Sequence, residues 1–414
     1  MPNPALFRRI SVVVAAATLA WLILDHVAVG AQDTNPAVVD ASQHGSLQEA
    51  FDALPVSGGL VRLPPGRFEI SQPLVLTRGD VRIEGSGAAT HIVNLNGQGE
   101  PALILQSSAF DSEASSRENR RNSVWRVQLA NFRISGNPKS GDGILARYVD
   151  EIYIEGMSID HNGANGIHLL ECYEDPRIVD SIMTYNAESG LLVEASHDIV
   201  VNGNQFEENL DAVRVTDSFN LCMNGNNIDD HLRHGVVVEN TYGSVLSGNM
   251  IEECAGTAII LDRDVYGVTI SANVLAHNNG GGVDLRDAWG STISANTFTI
   301  NPEWAVRIGP DSGRIAVTGN NFSNSFIGQG TKREEQYDVE WPQKGYARGV
   351  LLERTQAVTL TGNIFAGMIG PAVRGVGNLS NIVLSANVAT DLNRKSGTSG
   401  SYVFDNRRGV RITP

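Results

Sequence analysis

The sequence predicts an all-β fold: a single-stranded right-handed parallel β-helix, or solenoid, with an N-terminal capping helix. Three observations predict it. The chain of 414 residues contains 43 Gly and only 6% aromatic residues, which is typical of short strands joined by tight turns. An Asn flanked by apolar residues recurs at nearly constant spacing, and one amphipathic helical pattern precedes these repeats. The length alone indicates two or three domains, but a repeat array overrides that expectation.

The first 31 residues predict a signal peptide. Arg8 and Arg9 precede an apolar run from Ile10 to Leu24, and small residues end at Ala31, where cleavage is expected. The apolar run is short for a membrane span, but an uncleaved anchor is the alternative. We therefore expect a secreted protein, extracellular or periplasmic, with no membrane contact beyond this segment.

The segment from Ser46 to Leu54 predicts the capping helix. Ser46 is expected to be the N-cap, with Glu49 completing a capping box. One face of the helix is apolar and carries Leu47, Ala50, Phe51 and Leu54. This face should cover the open end of the core, so that residues 32–128 form an N-terminal cap and the first coils. A polar stretch, Ser107 to Ser123, is expected to loop out between early coils.

Repeats define the central region, residues 129–390. The recurring Asn residues are spaced by 22 to 24 positions, with one interval of 43: Asn204, Asn226, Asn249, Asn273, Asn296, Asn320, Asn363 and Asn387. Each has an apolar residue three positions before it and usually another two positions after it, as in strands on either side of a turn. Units this small cannot bury an apolar face alone, so they must stack as parallel coils. The Asn side chains are expected to form an internal ladder and not a catalytic motif.

The interval of 43 predicts a loop insertion at about 328–348. The insertion contains the aromatic residues Tyr337, Trp341 and Tyr346. By register it leaves from the turn that carries Asp211 and His234 in earlier coils, so it should overhang the same face. Residues 391–414 are expected to form a C-terminal cap or tail.

The N-terminal segment and the Asn repeats together resemble the right-handed parallel β-helix, pectin-lyase-like superfamily, in the form of a secreted bacterial-type member. The resemblance rests on the capping helix, on the short strands of GGLVRLPPGRFEISQPLVLTRGDVRI from Gly58 to Ile83, and on the stacked Asn. That superfamily includes pectate and alginate lyases, polygalacturonases, epimerases and phage tailspikes. The resemblance therefore implies the fold and a carbohydrate partner but not one activity.

The amino-acid composition limits the possible binding partners. A formal net charge of −15 predicts an acidic surface that repels phosphate backbones, so nucleic acid is a poor candidate. Three cysteines without a CxxC pair predict neither a disulfide framework nor a zinc site. We expect a monomer whose partner is a polysaccharide or oligosaccharide.

No metal is assigned from the sequence, and the cofactor stays unknown. Asp229-Asp230 and Glu252-Glu253 fill equivalent turns one coil apart, where several carboxylate oxygens could bind Ca²⁺. Solvated acidic turns explain the same pattern and are the preferred interpretation.

The second strand of each coil places charged residues in outward columns, concentrated between Arg214 and Arg307. The candidate catalytic residues are Asp211, His234, Asp262 and Asp284, and the candidate substrate-binding residues are Arg214, Arg286, Arg307, Trp304 and Trp341. A concave surface of mixed charge with aromatic residues at its edge suits an oligosaccharide.

Two interpretations of the carboxylates stay open. Asp262 and Asp284 are diagonal neighbours about 7 to 8 Å apart, within the approximate 6.5 to 9.5 Å range of an inverting glycosidase. Adjacent coils also place Asp262 beside Arg286 and Asp284 beside Arg307, so that structural salt bridges explain them equally well.

His234 is the histidine best placed for proton transfer, because it stands at a turn one coil after Asp211. This succession is faintly similar to the Asp-Asp and Gly-His-Gly motifs of polygalacturonases. Leu210 occupies the position of one of those aspartates, which counts against polygalacturonase chemistry.

Three classes of function remain. The leading hypothesis is a secreted carbohydrate-active enzyme that degrades or modifies a polysaccharide as a glycoside hydrolase, lyase or epimerase. The alternatives are a noncatalytic extracellular glycan-binding protein and a structural β-helix rod. The preference for an enzyme rests on the superfamily resemblance.

Overall fold

The computed structural model describes residues 37–323, 347–394 and 399–413. The predicted signal peptide at 1–31 and most of the predicted insertion, including Trp341, lie outside the described residues. All described strands belong to the unit Val38–Pro414. They form three long parallel sheets, here called A, B and C, and one short pair, Val124–Trp125 with Val149–Asp150.

Sheet A contains 17 strands within the described residues. Their bounds are Val38–Asp40, Gly59–Arg62, Val81–Glu84, Val127–Ala130, Tyr153–Glu155, Arg177–Val179, Val200–Asn202, Cys222–Asn224, Val245–Ser247, Val265–Tyr266, Thr269–Ser271, Ala288–Trp289, Thr292–Ser294, Gly313–Thr318, Gln356–Thr361, Ser380–Ser385 and Val410–Thr413.

Sheet B contains 13 strands in the same ranges. Their bounds are Gly66–Ile70, Thr90–Asn94, Arg133–Ser135, Ser158–Asp160, Ile182–Thr184, Gln205–Glu207, Asn227–Asp229, Met250–Glu252, Val274–Ala276, Thr297–Thr299, Asn321–Ser323, Ile364–Ala366 and Val388–Thr390.

Sheet C also has 13 strands among the residues described. Their bounds are Leu74–Leu76, Leu103–Leu105, Ile144–Arg147, Ile167–Leu170, Ser189–Glu194, Asp211–Thr216, His234–Glu239, Thr257–Asp262, Gly281–Leu285, Trp304–Ile308, Arg348–Glu353, Val373–Val376 and Tyr402–Phe404.

Each strand pairs with its equivalent in the next coil, so identical positions form columns along the solenoid. In sheet A, Leu246 pairs with Ile270 and Ile270 with Ile293, and all three are buried. The apolar residues before and after the repeating Asn thus fill one continuous core. The prediction of a parallel β-helix is confirmed.

The N-terminal end carries helix α1, Leu47–Asp52. Ser46 is its N-cap and accepts a hydrogen bond from the Glu49 backbone N–H at 3.1 Å, as predicted. The Glu49 carboxylate accepts from the Gly45 N–H at 2.8 Å, one residue before the N–H that a capping box uses. The predicted apolar face is buried at Leu47, Ala50, Phe51 and Leu54. Short 3₁₀ turns lie at Ala41–Gln43 and Gly87–Ala89.

The polar stretch from 107 to 123 contains helix α2, Ser116–Arg120. Arg120 ties it to the coils, because its Nη1 lies 2.8 Å from the Asp150 carboxylate and its guanidinium lies 3.4 Å from the centre of the Tyr173 ring. This stretch is therefore fastened to the solenoid by an ion pair and a cation–π contact.

The Asn ladder is confirmed. The Asn273 amide, for example, donates to Asn296 at 3.0 Å and accepts from the Asn249 side chain at 3.0 Å. The ladder continues across the interval of 43, since Asn320 donates to Asn363 at 3.0 Å. The predicted insertion leaves the core unbroken, because strand pairing continues across it: Asn321 pairs with Ile364 in sheet B and Trp304 with Arg348 in sheet C.

A second ladder runs along the turn from sheet B to sheet C. Its buried rungs are Asn162, Asn186, Asn209, His231, Cys254, Asn278 and Asn301. His231 and Cys254 replace Asn in the middle, which hides this repeat in the sequence. Burial lowers the pKa of His231 to about 4, so the ring stays neutral inside the core.

Candidate functional site

The outward side of sheet C, here called the charged face, carries the predicted columns. The register places Arg214 beside Val237 and Asp284 beside Arg307, as predicted. The side chains of Arg214, Asp284 and Arg307 are partly exposed, whereas Val237 is buried although it points outward. The predicted site residues of this face therefore lie in two charged groups, one near Arg214 and one near Asp284.

The charged face contains an open pocket of about 100 Å³, here called the Trp304 pocket. Its lining residues are Thr257, Gly280, Val283, Asp284, Glu303, Trp304 and Arg307. The Arg348 guanidinium lies 5.8 Å from the centre of the Trp304 ring, within cation–π range. The pocket thus combines one aromatic ring, one guanidinium and two carboxylates, of which Asp284 was predicted as a site residue and Glu303 was not.

A chain of ion pairs holds the pocket carboxylate Asp284. Its Oδ2 lies 2.8 Å from Arg286 Nε and its Oδ1 lies 3.1 Å from Arg307 Nη1. Arg286 also reaches Asp262 at 3.7 Å, and Arg307 reaches Glu353 at 2.8 Å. Both oxygens of Asp284 therefore face guanidinium groups, and the predicted cross-strand salt bridges are confirmed.

The predicted pair of Asp211 and His234 lies in the other charged group. Asp211 is fully buried and accepts from Arg233 at 2.8 Å, from Arg214 at 3.0 Å and from the His234 backbone N–H at 3.1 Å. Burial alone raises the pKa of Asp211, but the bond and charge of Arg233 and the charge of Arg214 lower it overall. Asp211 therefore remains an anion that holds two arginines.

One of the two ring nitrogens of His234 already has a hydrogen-bond partner. Its Nδ1 accepts a hydrogen bond from the Thr257 backbone N–H at 3.0 Å. Burial lowers the pKa of His234, so at neutral pH the ring is uncharged and its proton is on Nε2. In this form His234 can donate a hydrogen bond from Nε2 but cannot accept a proton at Nδ1.

A third charged group, which the sequence analysis did not single out, surrounds His168. The ring Nε2 lies 2.7 Å from Glu194 and Nδ1 lies 3.4 Å from Asp142. Burial alone lowers the pKa of His168, but these two carboxylates raise it to about 9. The arrangement repeats that of Arg214, which also bridges two carboxylates, Asp211 and Glu239.

The predicted acidic turns lie together outside sheet B. Ligand atoms of Asp229, Asp230 and Glu253 all lie within 4.8 Å of one another. Burial and the two aspartates raise the pKa of Glu253 to about 7. The three carboxylates therefore repel one another when all are ionised.

The predicted site residues thus divide by location. Asp284, Arg307 and Trp304 meet in one pocket, with Asp262 and Arg286 connected to it by ion pairs. Asp211, His234 and Arg214 form the other group. Trp341 lies outside the described residues. The strand register could have identified Glu303, because this residue directly precedes Trp304, a predicted site residue at the start of a sheet C strand.

Comparison with known structures shows proteins of the same parallel β-helix fold. The A-module of the mannuronan C-5 epimerase AlgE4 of Azotobacter vinelandii shares 16% identity and a TM-score of 0.55, covering 91% of this chain and 98% of that chain. The family 28 exopolygalacturonase of Yersinia enterocolitica shares 11% sequence identity at a TM-score of 0.57. This match covers 91% of this chain and 78% of that chain. Identities this low show the fold alone.

The pre-mature gene product 12 of bacteriophage phi29 has a TM-score of 0.68 at 14% identity. The match covers 96% of this chain and 58% of that chain, so this chain spans little more than half of the phage protein. None of the curated proteins compared is similar enough in sequence to match.

The family is identified by its sequence model. Residues 83–366 match the family described as periplasmic copper-binding protein (NosD). The chain belongs to this family. Among the residues that the structure describes, no helix is long and apolar enough to cross a membrane.

Proposed function

We propose that this protein is an extracytoplasmic carbohydrate-binding member of the NosD family that holds an oligosaccharide in the Trp304 pocket. The observation that carries the proposal is the composition of the pocket: an indole ring beside Arg307 and the carboxylates of Asp284 and Glu303. A pyranose ring presents C–H groups that pack on an aromatic face and hydroxyl groups that bind charged side chains.

Binding is favoured over catalysis by the state of the four candidate catalytic residues. Asp211 is buried beneath two arginines, and His234 Nδ1 is occupied by a backbone N–H. Asp284 faces a guanidinium at each oxygen, and Asp262 accepts from the Arg263 backbone N–H at 2.8 Å. General acid–base catalysis needs a group that can exchange a proton with the substrate, and these partners occupy atoms that would do so.

A second candidate function, a polysaccharide-modifying enzyme, is favoured by Glu303. This residue lines the same pocket as Asp284 and forms no salt bridge with the residues described. A free carboxyl beside an ionised one is the arrangement that glycosidases use to divide acid and base roles. In this alternative Glu303 transfers the proton and Asp284 supplies the negative charge.

Copper, which the family description names, does not fit the side chains that the structure describes. Within the described ranges, Asp229, Asp230 and Glu253 form the one group of three or more possible ligands near enough to share an ion. They offer only carboxylate oxygens, whereas copper sites use imidazole, thiolate and thioether groups. Cys172 and Cys254 are buried, and burial raises the pKa of each thiol to about 12. We derive no copper chemistry from these residues.

The extracytoplasmic location has two supports. The family description is periplasmic, and the sequence predicts a signal peptide over residues 1–31. Either a periplasmic or an extracellular protein meets polysaccharides of the cell envelope or its surroundings.

The test measures binding and turnover with one set of proteins. Soluble oligosaccharides from pectate, alginate, β-glucan and mannan are titrated calorimetrically into the purified protein, and the same mixtures are assayed for reducing ends and for the absorbance of unsaturated uronates. Trp304→Ala should weaken binding by about tenfold or more, as expected for a central aromatic contact. Trp125→Ala, which removes a tryptophan exposed elsewhere on the coils, is the matched control.

The outcomes separate the candidates. Binding without new ends or unsaturated products, lost in Trp304→Ala and kept in Trp125→Ala, supports the binding function. Turnover that Glu303→Gln and Asp284→Asn abolish without loss of folding establishes the enzyme instead. Absence of binding to all four oligosaccharide classes overturns both.

A further inference from the structure

A ridge of aromatic side chains runs along the turn from sheet C to sheet A. Four successive coils each contribute one ring to it, here called the aromatic ridge: Phe219, Tyr242, Tyr266 and Trp289. The first three are exposed by 43%, 39% and 52%. Large aromatic side chains are normally placed where their area is buried, so a row of them in solvent indicates a contact surface.

Beside the ridge, sheet A presents an outward surface without charge. It consists of the residues on either side of the buried residue that stands three positions before each ladder Asn, from Val201 to Leu384, and is here called the neutral platform. The members are Val200, Asn202, Cys222, Asn224, Val245, Ser247, Thr269, Ser271, Thr292, Ser294, Ala316, Thr318, Thr359, Thr361, Val383 and Ser385. Because the chain carries a net charge of −15, the lack of any charged side chain here sets this surface apart.

The ridge and the platform form one array with a common repeat. Each ring stands three residues before a platform residue of the same coil, as Tyr266 does before Thr269. Adjacent coils repeat the pattern at about 4.8 Å, so the four rings span roughly 14 Å. Platform hydroxyls also meet across coils, with Ser271 Oγ 3.3 Å from Ser247 Oγ. A long polymer that lies along the solenoid axis meets the same groups at every coil.

We propose that the aromatic ridge and the neutral platform together bind a linear neutral polysaccharide, at a surface separate from the Trp304 pocket. A neutral glycan has the matching chemistry, because its C–H faces contact the rings and its hydroxyls pair with Ser, Thr and Asn. Binding of a neutral glycan also avoids the cost of removing water from charged groups, because the platform has none. Arg314 borders this surface, with its guanidinium 5.8 Å from the centre of the Trp289 ring. One cation at one ring does not offset the net charge of −15, so an anionic polymer is disfavoured.

The proposal does not depend on the Trp304 pocket, and the test keeps the two apart. The full chain is mixed with insoluble cellulose, β-1,3-glucan or mannan, and depletion from solution is measured beside polygalacturonate as an anionic comparison. Thr292→Glu places a charge in the platform and Tyr266→Ser removes a ring. Each should weaken binding to a neutral polymer by about tenfold. Thr292→Glu should weaken binding by the same factor in the Trp304→Ala background as in the wild type, because the effects of separate surfaces add.

Asn227→Glu is the matched control, because it adds the same charge on the exposed side of sheet B. Circular dichroism verifies that each variant is folded. The proposal is overturned if none of the three neutral polymers depletes the protein, or if Asn227→Glu weakens binding as much as Thr292→Glu. A wild type that sediments as a dimer, with Thr292→Glu as a monomer, assigns the surface to a second copy of the chain and also overturns it.

Discussion

His168 is held between Asp142 and Glu194, and this environment makes it a source of pH-dependent stability. Its pKa is raised from the ordinary histidine value of 6.5 to about 9 in the folded protein. A raised histidine pKa contributes stability that is complete below pH 6.5 and is lost as the pH rises to 9. We expect His168→Asn to lower the free energy of unfolding by about 2 kcal/mol at pH 6 and by much less at pH 10. Thermal unfolding across this range measures the difference, and equal effects at both pH values would contradict it.

Glu253 also loses stability as the pH rises, but over a lower pH range and because its charged form is the unfavourable one in the folded protein. Burial and the neighbouring carboxylates raise its pKa from 4.5 to about 7. The folded protein must ionise this group at a cost, so stability is lost as the pH rises from 4.5 through 7. Glu253→Gln should therefore stabilise the protein at pH 8 by on the order of 1 kcal/mol, after allowance for solvent screening, and have little effect at pH 4. Glu174→Gln, at an exposed turn, is the control in the same unfolding experiment.

At this scale the sequence predicts which residues are neighbours but not how their side chains pair. The strand register places Asp284 beside Arg307, and the structure has them 3.1 Å apart. Register cannot show that Arg286 turns back to Asp284 on its own strand, because that choice depends on side-chain torsions. The burial of Asp211 was missed for a similar reason, since two long arginine side chains, Arg214 and Arg233, cover it.

Among the elements, the Asn ladder connects successive coils from Asn204 to Asn387. Asn273 accepts from the Asn249 backbone N–H at 2.9 Å and donates to the Leu246 carbonyl at 3.0 Å, both in the core. Asn273→Leu leaves these groups without partners, which should destabilise the protein by about 3 kcal/mol or more. The shift in the urea midpoint measures the loss. Asn227→Leu, on the exposed side of sheet B, should change it little, and similar shifts for both would refute the ladder's role.

The two ladders also show what makes an element predictable. The first repeats the same residue type in every coil, so its period is visible in the sequence. The second has His231 and Cys254 among its rungs, and its equivalence appears only when the coils are superposed in space. The capping helix was predictable because a short local pattern at Ser46 and Glu49 determines where it begins.

For the whole molecule, the stacking of coils leaves three sides with different chemistry. Sheet C carries ion pairs, sheet A carries the neutral platform, and an acidic turn follows sheet B at Asp229 and Asp230. A solenoid keeps these sides separate over its length because each column repeats in register. The sequence predicted the columns of sheet C, but the neutral platform was overlooked since the absence of charge is noticeable only when columns are compared.

The stacking of coils also predicts how far unfolding extends from a destabilising substitution. Ile270 lies in a central coil between Leu246 and Ile293, and Ile382 lies near the C-terminal end between Val358 and Val410. Each is buried, so replacement by Asp puts an unpaired charge into the core at a cost of about 3 kcal/mol or more. Since a coil contacts mainly its neighbours, Ile382→Asp should unfold only the last coils.

Hydrogen exchange measures where amide protection is lost. In Ile382→Asp, protection should fall after about residue 356 and persist in the preceding coils, whereas Ile270→Asp should lose protection on both sides of the substitution or fail to fold. Thr269→Asp is the matched control, because a shift of one position in a strand moves the new charge to the outside of sheet A. Identical exchange patterns in Ile270→Asp and Ile382→Asp would show that the solenoid unfolds as a single cooperative unit, contrary to a nearest-neighbour stack.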